Sequence, residues 1–473
     1  MGIKMKKILL LLCFLPMCVV AQVDLNLQMC RNMAIQSSKT LDIAIREQEK
    51  SVYESRMYRA DFFPRISVTG VGFYNQKKYH YKLKGGYLPS FKPGTDGKLQ
   101  PDVLLNPETH KPILGADGKP IFNSYAFMPD MDLQLGMCGV YHTGIQLEQP
   151  IYMGGKVRTA HAMAKIGENI AAQNVRMSKS DVLLETDCAY WQLMRLEEQV
   201  IAVRKYKETL ASLVRNLQDS EKVGMITSND VLKAQVRYNE ADLLLQKVEH
   251  GRVLAQMNLC RLIGLDLETE LHLQDSLTAE VSLAVWSLDS AISQRPDYNI
   301  LLFEFNMKEK KVALSRSDFL PQLGITAGYG YGGGVKLNGR DAAGAGFSAL
   351  AAVKIPVFHW GEGRNKIRSA RMDEEISRLN LEKYADLMHL EISSDKYALQ
   401  DSQTRVRLAK SALVQAEENL KMSTDQYQVG METLTSLLEA QAQWQEAWSQ
   451  WIDAKAELHL YESTYLKSIG KLE

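Results

Sequence analysis

What this 473-residue sequence lacks narrows its class before any motif is read. Its 56 basic and 56 acidic side chains cancel, with a pI near 7.1, so it has no basic excess of the kind that nucleic-acid binding normally requires. A hydrophobic fraction of 45% with 8% aromatics excludes intrinsic disorder. Beyond the first 20 or so residues no uncharged apolar run reaches the length of a membrane-spanning helix, which leaves a soluble chain or one that crosses a membrane as strands. Cysteine is scarce, six in all and none in a C-x-x-C pair, so a zinc ribbon or thioredoxin-type centre is absent. Proline is missing from two long stretches, Lys156 to Lys222 and Gly363 to Gln428, and nothing there breaks a helix.

The N-terminus reads Met5-Lys6-Lys7, an apolar run from Ile8 to Val20, then Ala21 before Gln22. That is the pattern of a secretory signal peptide, expected over residues 1–21 with cleavage after Ala21. Cys18 sits in a lipobox-like setting, but Met17 is bulky where a lipidation site usually has a small residue. Cys30, Cys138, Cys188 and Cys260 would then face an oxidising compartment. Cys188 and Cys260 flank an expected helical turn near residue 225, so a bridge between them stands beside the alternative of buried free thiols.

The rest, 22–473, is one plan used twice. Asp61-Phe62-Phe63-Pro64 recurs as Asp318-Phe319-Leu320-Pro321 at an offset of 257, and Pro150-Ile151-Tyr152 recurs as Pro356-Val357-Phe358 at an offset of 206. Val223-Gly224-Met225 recurs as Val429-Gly430-Met431, again offset by 206. Three landmarks in one order mean a duplicated half, with repeats over about 24–265 and 284–470. The change of offset puts 51 extra residues into the first half. They fall near 75–132, a stretch with seven of the 13 prolines, expected as a long irregular surface loop.

Each half holds two stretches of period-2 alternation, near 66–75 and 133–150, then near 323–333 and 345–357. In the second, Leu133, Leu135, Met137, Tyr141, Ile145 and Leu147 fall on one face. Such runs suit tilted transmembrane strands, although a soluble sandwich would alternate too. Tyr152, Phe358 and Trp360 lie just beyond the expected strand ends, where an interfacial aromatic girdle would sit.

The remaining sequence repeats every seven residues, as in Leu196, Val203, Leu210 and Leu217 or Leu437, Trp444, Trp451, Leu458 and Tyr465. This is coiled-coil spacing. The 67 residues from Lys156 to Lys222 would reach about 100 Å as one helix at roughly 1.5 Å per residue. Glycine-containing turns at Val223-Gly224 and Val429-Gly430 then reverse the chain. Four strands cannot close a barrel in lipid, so copies must associate, two giving eight strands and three giving twelve.

Signal peptide, duplicated strand pairs and helical hairpins, the Phe-x-Pro entries at Pro64 and Pro321, the Pro-Ile-Tyr and Pro-Val-Phe exits and both Val-Gly tips together resemble the TolC family of outer-membrane efflux proteins, over residues 24 to 470. The resemblance implies a mixed α and β membrane protein: a homotrimer with a twelve-stranded outer-membrane β-barrel, four strands per chain, continued by a long α-helical coiled-coil barrel in the periplasm. It implies docking at Val223, Gly224, Val429 and Gly430 to a periplasmic adaptor (membrane fusion) protein and an inner-membrane transporter of RND or ABC type. Export of small molecules or proteins follows, with the loop near 75–132 outside the cell and neither cofactor nor nucleic acid involved.

Relatives carry acids within about three turns of each tip that constrict the entrance, and Asp230 and Glu439 match two such positions. Three-fold rings of carboxylates would focus the field in a narrow pore and favour cations. The plainer alternatives are a helix N-terminal acid for Asp230 and a solvated face for Glu439. Ser436 and Glu432 depart from the family pattern. A metal site finds no support, because the methionines do not cluster with paired Cys and His. Catalysis finds none either: Gly154-Gly155-Lys156 lacks the other residues of a phosphate loop, and no nucleophile–base constellation is in view. The competing reading is a trimeric surface adhesin or structural coiled-coil protein anchored by a small barrel.

Overall fold

The computed structural model describes residues 23–472 except 75, 77, 95–96, 137–138, 278–287, 338–339 and 342. The signal-peptide expectation, Cys18 and Cys138 lie outside the described residues. In chain order the elements are β1 (Val23–Leu25), α1 (Leu27–Ser37), α2 (Lys39–Ala60), β2 (Arg65–Phe73), β3 (Lys78–Leu83), β4 (Gly86–Pro89), β5 (Phe91–Pro93) and β6 (Leu99–Pro101). There follow β7 (Tyr125–Met128), β8 (Met131–Gly136), β9 (Val140–Met153), α3 (Lys156–Lys222), α4 (Ser228–Ile263), β10 (Leu271–Leu273), α5 (Leu288–Gln294) and α6 (Pro296–Ser317). The chain ends with β11 (Gln322–Gly333), β12 (Lys336–Leu337), β13 (Arg340–Asp341), β14 (Gly344–Lys354), α7 (Glu362–Gln428) and α8 (Leu434–Ser468). Two compact units result. One takes the chain up to Tyr58, Arg158–Ser315 and everything from Gly361; the other takes Arg59–Val157 and Arg316–Trp360.

The first unit is helical. α3 and α7 are each 67 residues long, and α4 and α8 run back along them. The seven-residue rows are what these helices bury: Leu196, Val203, Leu210 and Leu217 on α3, and Ile392, Leu399, Val406 and Leu413 on α7. Each buried leucine or valine contributes roughly 1.5–3 kcal/mol. Towards one end β1 pairs in parallel with β10, and Leu25, Cys30, Tyr190, Leu193, Leu259 and Ile452 share a core. In it Asp187, fully buried, accepts from Arg31 Nε at 2.7 Å and Nη2 at 2.6 Å and from Ser463 Oγ at 2.7 Å. One carboxylate thereby ties α1, α3 and α8, with the two-pronged geometry that makes Arg–carboxylate pairs strong. Cys188 is exposed and Cys260 buried, and both are free thiols with no bridge between them.

The second unit is a four-stranded antiparallel sheet in the order β14-β11-β9-β2. Register sorts most of its side chains, with Val71, Phe73 and Leu350 as apolar exceptions on the polar face. Ile66, Leu147, Ala327 and Ala349 stand in one row and Val68, Ile145, Tyr329 and Phe347 in another on the same face. On the opposite face stand Ser67, Gln146, Gly328 and Ser348, then Thr69, Gly144, Gly330 and Gly346. Met153, Gln322 and Lys354 lie at paired register positions at one end of this sheet, and β2 begins at Arg65 opposite Glu148.

Two expectations fail in this unit. The strand near 133–150 is two strands, β8 and β9, and β9 continues to Met153, past Pro150, which sits at a register shift opposite Leu323 and Gly324. The stretch near 75–132 is not irregular. It forms β3 to β8, paired as hairpins, because its prolines fall at strand ends, as Pro89, Pro93 and Pro101 do, or at isolated bridges, as Pro112 and Pro120 do, where the missing N–H costs little.

Candidate pore constriction, docking tips and aromatic girdle

Each long hairpin of the helical unit turns on the same backbone device. At the first tip the amide of Gly224 donates to Glu221 O (2.8 Å) and that of Met225 to Ser220 O (3.0 Å); at the second, Gly430 donates to Tyr427 O (3.1 Å) and Met431 to Gln426 O (2.9 Å). These bonds satisfy the last carbonyls of α3 and α7 and require a left-handed residue. Gly224 and Gly430 supply it at φ 78° and 76°. A Cβ at either would meet no atom within 4 Å, so it is conformation rather than space that selects glycine. The flanking side chains project into solvent: Val223 is 70% exposed, Met225 79%, Val429 70% and Met431 81%. Each tip is thus an apolar point on an otherwise polar helix end.

The two tips share one hydrophobic cluster, in which Leu217, Ala234, Leu434 and Leu438 are packed with Ile226, Val231 and Tyr427. Asp230 lies in the first turn of α4. It accepts from Thr227 Oγ1 at 3.0 Å and Lys233 Nζ at 3.4 Å, and burial, with the Asp230 charge second, holds the Tyr427 phenol above its usual range. Thr433, the matching residue of the other tip, instead caps its helix by accepting from the amide of Ser436 at 3.2 Å. Glu439 is exposed on α8. No hydrogen bond or ion pair joins Asp230 to Glu439 among the described residues. A third acid escaped the sequence reading as a site: Glu432 accepts from Ser423 Oγ at 3.2 Å, while its Oε2 is buried without a partner. No metal-ready cluster of His, Cys, Asp or Glu occurs among the described residues.

In the sheet unit Phe358 and Trp360 lie beyond β14 and their rings meet edge-on at 4.9 Å. Trp360 is 91% exposed and holds a left-handed backbone, φ 47°, a conformation that costs a non-glycine residue about 1 kcal/mol or more. Tyr152 is inside β9 rather than beyond it, on the apolar face opposite Leu323. Phe62, Phe63, Ile151 and Val357 are exposed at the same sheet end. At the other end Tyr141 and Tyr331 approach to 6.1 Å, and Tyr74 is exposed. Between these bands β2 runs nine residues, about 30 Å at roughly 3.3 Å each, and less along the axis of a tilted barrel. An apolar band about 25 Å tall with aromatics at both rims is the outside of a membrane barrel. Tyr141 and Tyr331, which fall on the alternating apolar face, carry this second aromatic cluster in the sequence pattern itself. Among the described residues no helix is long and apolar enough to cross a membrane.

The family model described as outer membrane efflux protein matches residues 129–265 and 287–470. The outer membrane efflux protein BepC of Brucella suis biovar 1 is 22% identical over 306 residues, 63% of this chain and 65% of that one. The outer membrane protein TolC of Vibrio cholerae is 19% identical over 306 residues, 63% of this chain and 69% of that one. The chain thus spans about two thirds of the length of these relatives, slightly less for the Brucella protein. Among solved structures, the outer membrane protein VceC of Vibrio cholerae superposes with a TM-score of 0.70 at 15% identity, covering 94% of this chain and 96% of that one, a likeness of fold.

Proposed function

This chain belongs to the outer membrane efflux protein family, and from that premise we propose that three copies form the exit duct of a tripartite efflux or type I secretion system. Its place is the outer membrane, reaching into the periplasm. The observation that carries the reading is that, among the described residues, both outer strands of the sheet, β2 and β14, have an unpaired edge. In lipid each unpaired backbone group costs several kcal/mol. Because neighbouring strands alternate in direction, β2 of one copy and β14 of the next would again be antiparallel, and three copies close twelve strands. The sorted faces fit: the apolar face meets outer-membrane lipid and the serine, glutamine and glycine face lines water.

The helical unit supports the same assembly. Met372, Ile376, Leu379, Leu387, Leu390 and Tyr397 on α7 are exposed at successive spacings of four, three, eight, three and seven, and Leu232, Val236, Leu243 and Leu254 on α4 at four, seven and eleven. Such rows are half of a coiled-coil seam. At the tips, Val223, Gly224, Val429 and Gly430 offer an apolar docking point for a periplasmic adaptor, which would link the duct to an inner-membrane transporter. Asp230 and Glu439, repeated three-fold, would set rings of negative charge at the entrance. Cargo is small molecules or proteins, and no catalytic step enters.

Asp230→Ala with Glu439→Ala should raise single-channel conductance in planar bilayers at least two-fold and weaken cation preference. Unchanged conductance and selectivity would remove both residues from the constriction.

A further inference from the structure

The four strands of the membrane sheet do not end at its outer rim. A second four-stranded sheet has the order β13-β12-β8-β3, which repeats β14-β11-β9-β2 strand for strand, β3 and β12 following β2 and β11 in the chain and β8 and β13 preceding β9 and β14. Its free edges, β3 and β13, therefore continue the free edges β2 and β14. The first of these edges carries a built head. β4 pairs with β7 and β5 with β6, and bridges join Val103 to Phe122, Leu105 to Pro112 and Leu114 to Pro120.

The head is internally fixed. Phe122 packs on Phe91 and Tyr125 at ring distances of 6.2 and 5.9 Å, and Asp102 accepts from Asn123 Nδ2 at 2.8 Å and pairs with Lys92 at 3.1 Å. Its three turns place a left-handed residue, Gly97, His110 and Gly118, directly before Lys98, Lys111 and Lys119. Its base is fixed too. The Gly85 amide donates to Asp130 Oδ1 at 2.5 Å, and a Cβ on Gly85 would lie 2.2 Å from Met128 O and 2.5 Å from Asp130 N.

Ordered as it is, the head leaves large apolar side chains bare. Tyr87 and Phe127, register partners with rings 5.3 Å apart, are 73% and 66% exposed, and Tyr81, Leu99 and Leu114 are exposed as well. Cross-strand pairing of the two rings steadies β4 on β7 but leaves most of both side chains in water, and large bare apolar groups on an ordered element mark a contact surface. Tyr87 follows within a few residues of the edge strand β3, on the side where the trimer brings the next copy's β13.

We infer that the Gly86–Met128 head docks on the neighbouring copy of this chain, so that three heads form a collar that extends the barrel wall beyond the membrane. This rests on the three-copy reading above and adds the occupant of a surface that the barrel itself does not need. Tyr87 and Phe127 supply the buried aromatic anchor of the contact, the residue type that dominates such interfaces, and the Gly85 clamp sets the angle of the head.

The test places a photo-crosslinking benzoylphenylalanine at Tyr87 in the full chain within outer membranes, with copy number read in parallel by native mass spectrometry from nanodiscs. Trimers with Tyr87 adducts between two chains are expected. Trimers whose adducts go only to lipopolysaccharide, to another protein or within one chain overturn the collar and leave the duct standing; absence of trimers overturns both. As a second measure, replacing Gly86–Met128 by a short Gly-Ser turn should speed trimer dissociation in detergent about ten-fold, roughly 1.4 kcal/mol, and an unchanged rate contradicts the docking.

Discussion

α3 and α7 occupy equivalent places in the two halves and have the same length, yet they treat their apolar residues differently. α3 leaves Ile201 as its one exposed large hydrophobic residue and buries a row from Val182 to Leu217. α7 buries Ile392, Leu399, Val406 and Leu413 but keeps a second row, from Met372 to Tyr397, in solvent. The two helices match in length but not in burial. The difference teaches that α3 is stabilised inside its own copy, through the Asp187 node and the cores it shares with α1, α4 and α8, whereas α7 keeps a bare row that, on the proposed assembly, a neighbouring copy would cover.

The largest effect that would sharpen this contrast is expected at the node. Asp187→Ala leaves the half-buried Arg31 without its carboxylate and should cost about 2–3 kcal/mol, lowering the thermal midpoint of the helical signal. A loss below 1 kcal/mol would mean that α3 is not held from within. Next in size, Leu390→Asp on α7 should leave the helices folded by circular dichroism but weaken assembly by about 2 kcal/mol or more, the scale of an interface anchor, whereas Ile201→Asp on α3 should change assembly by less than about 0.5 kcal/mol. Equal effects at both sites would erase the comparison. The smallest effect belongs to the feature the halves share: Gly224→Ala and Gly430→Ala should each cost about 1 kcal/mol of local stability, read as faster amide exchange confined to the mutated tip.

Much of this was legible before any coordinates. A seven-residue period without proline specifies helix and bounds it, so α3 runs from Lys156 to Lys222 as the pattern requires. Alternation specifies which strand face is apolar, so Ile145, Leu147, Tyr329 and Phe347 fall together. What stayed hidden depends on partners far apart in sequence. Asp187 reads as one acid on a helix, and only the fold brings Arg31 and Ser463 to it. The head misled for a different reason: proline density signals irregularity on average, but a proline at a strand end or an isolated bridge removes no ladder bond. At the tips only the family resemblance pointed to Asp230 and Glu439, while the local use of Asp230 by Thr227 and Lys233 and the orphaned oxygen of Glu432 depend on side-chain geometry that sequence does not encode.

The central claim is that the sheet is unfinished in one copy. Native mass spectrometry of the full chain released from nanodiscs tests it most directly: the account predicts a single species of three chains, and a folded, stable monomer with four membrane strands would contradict it.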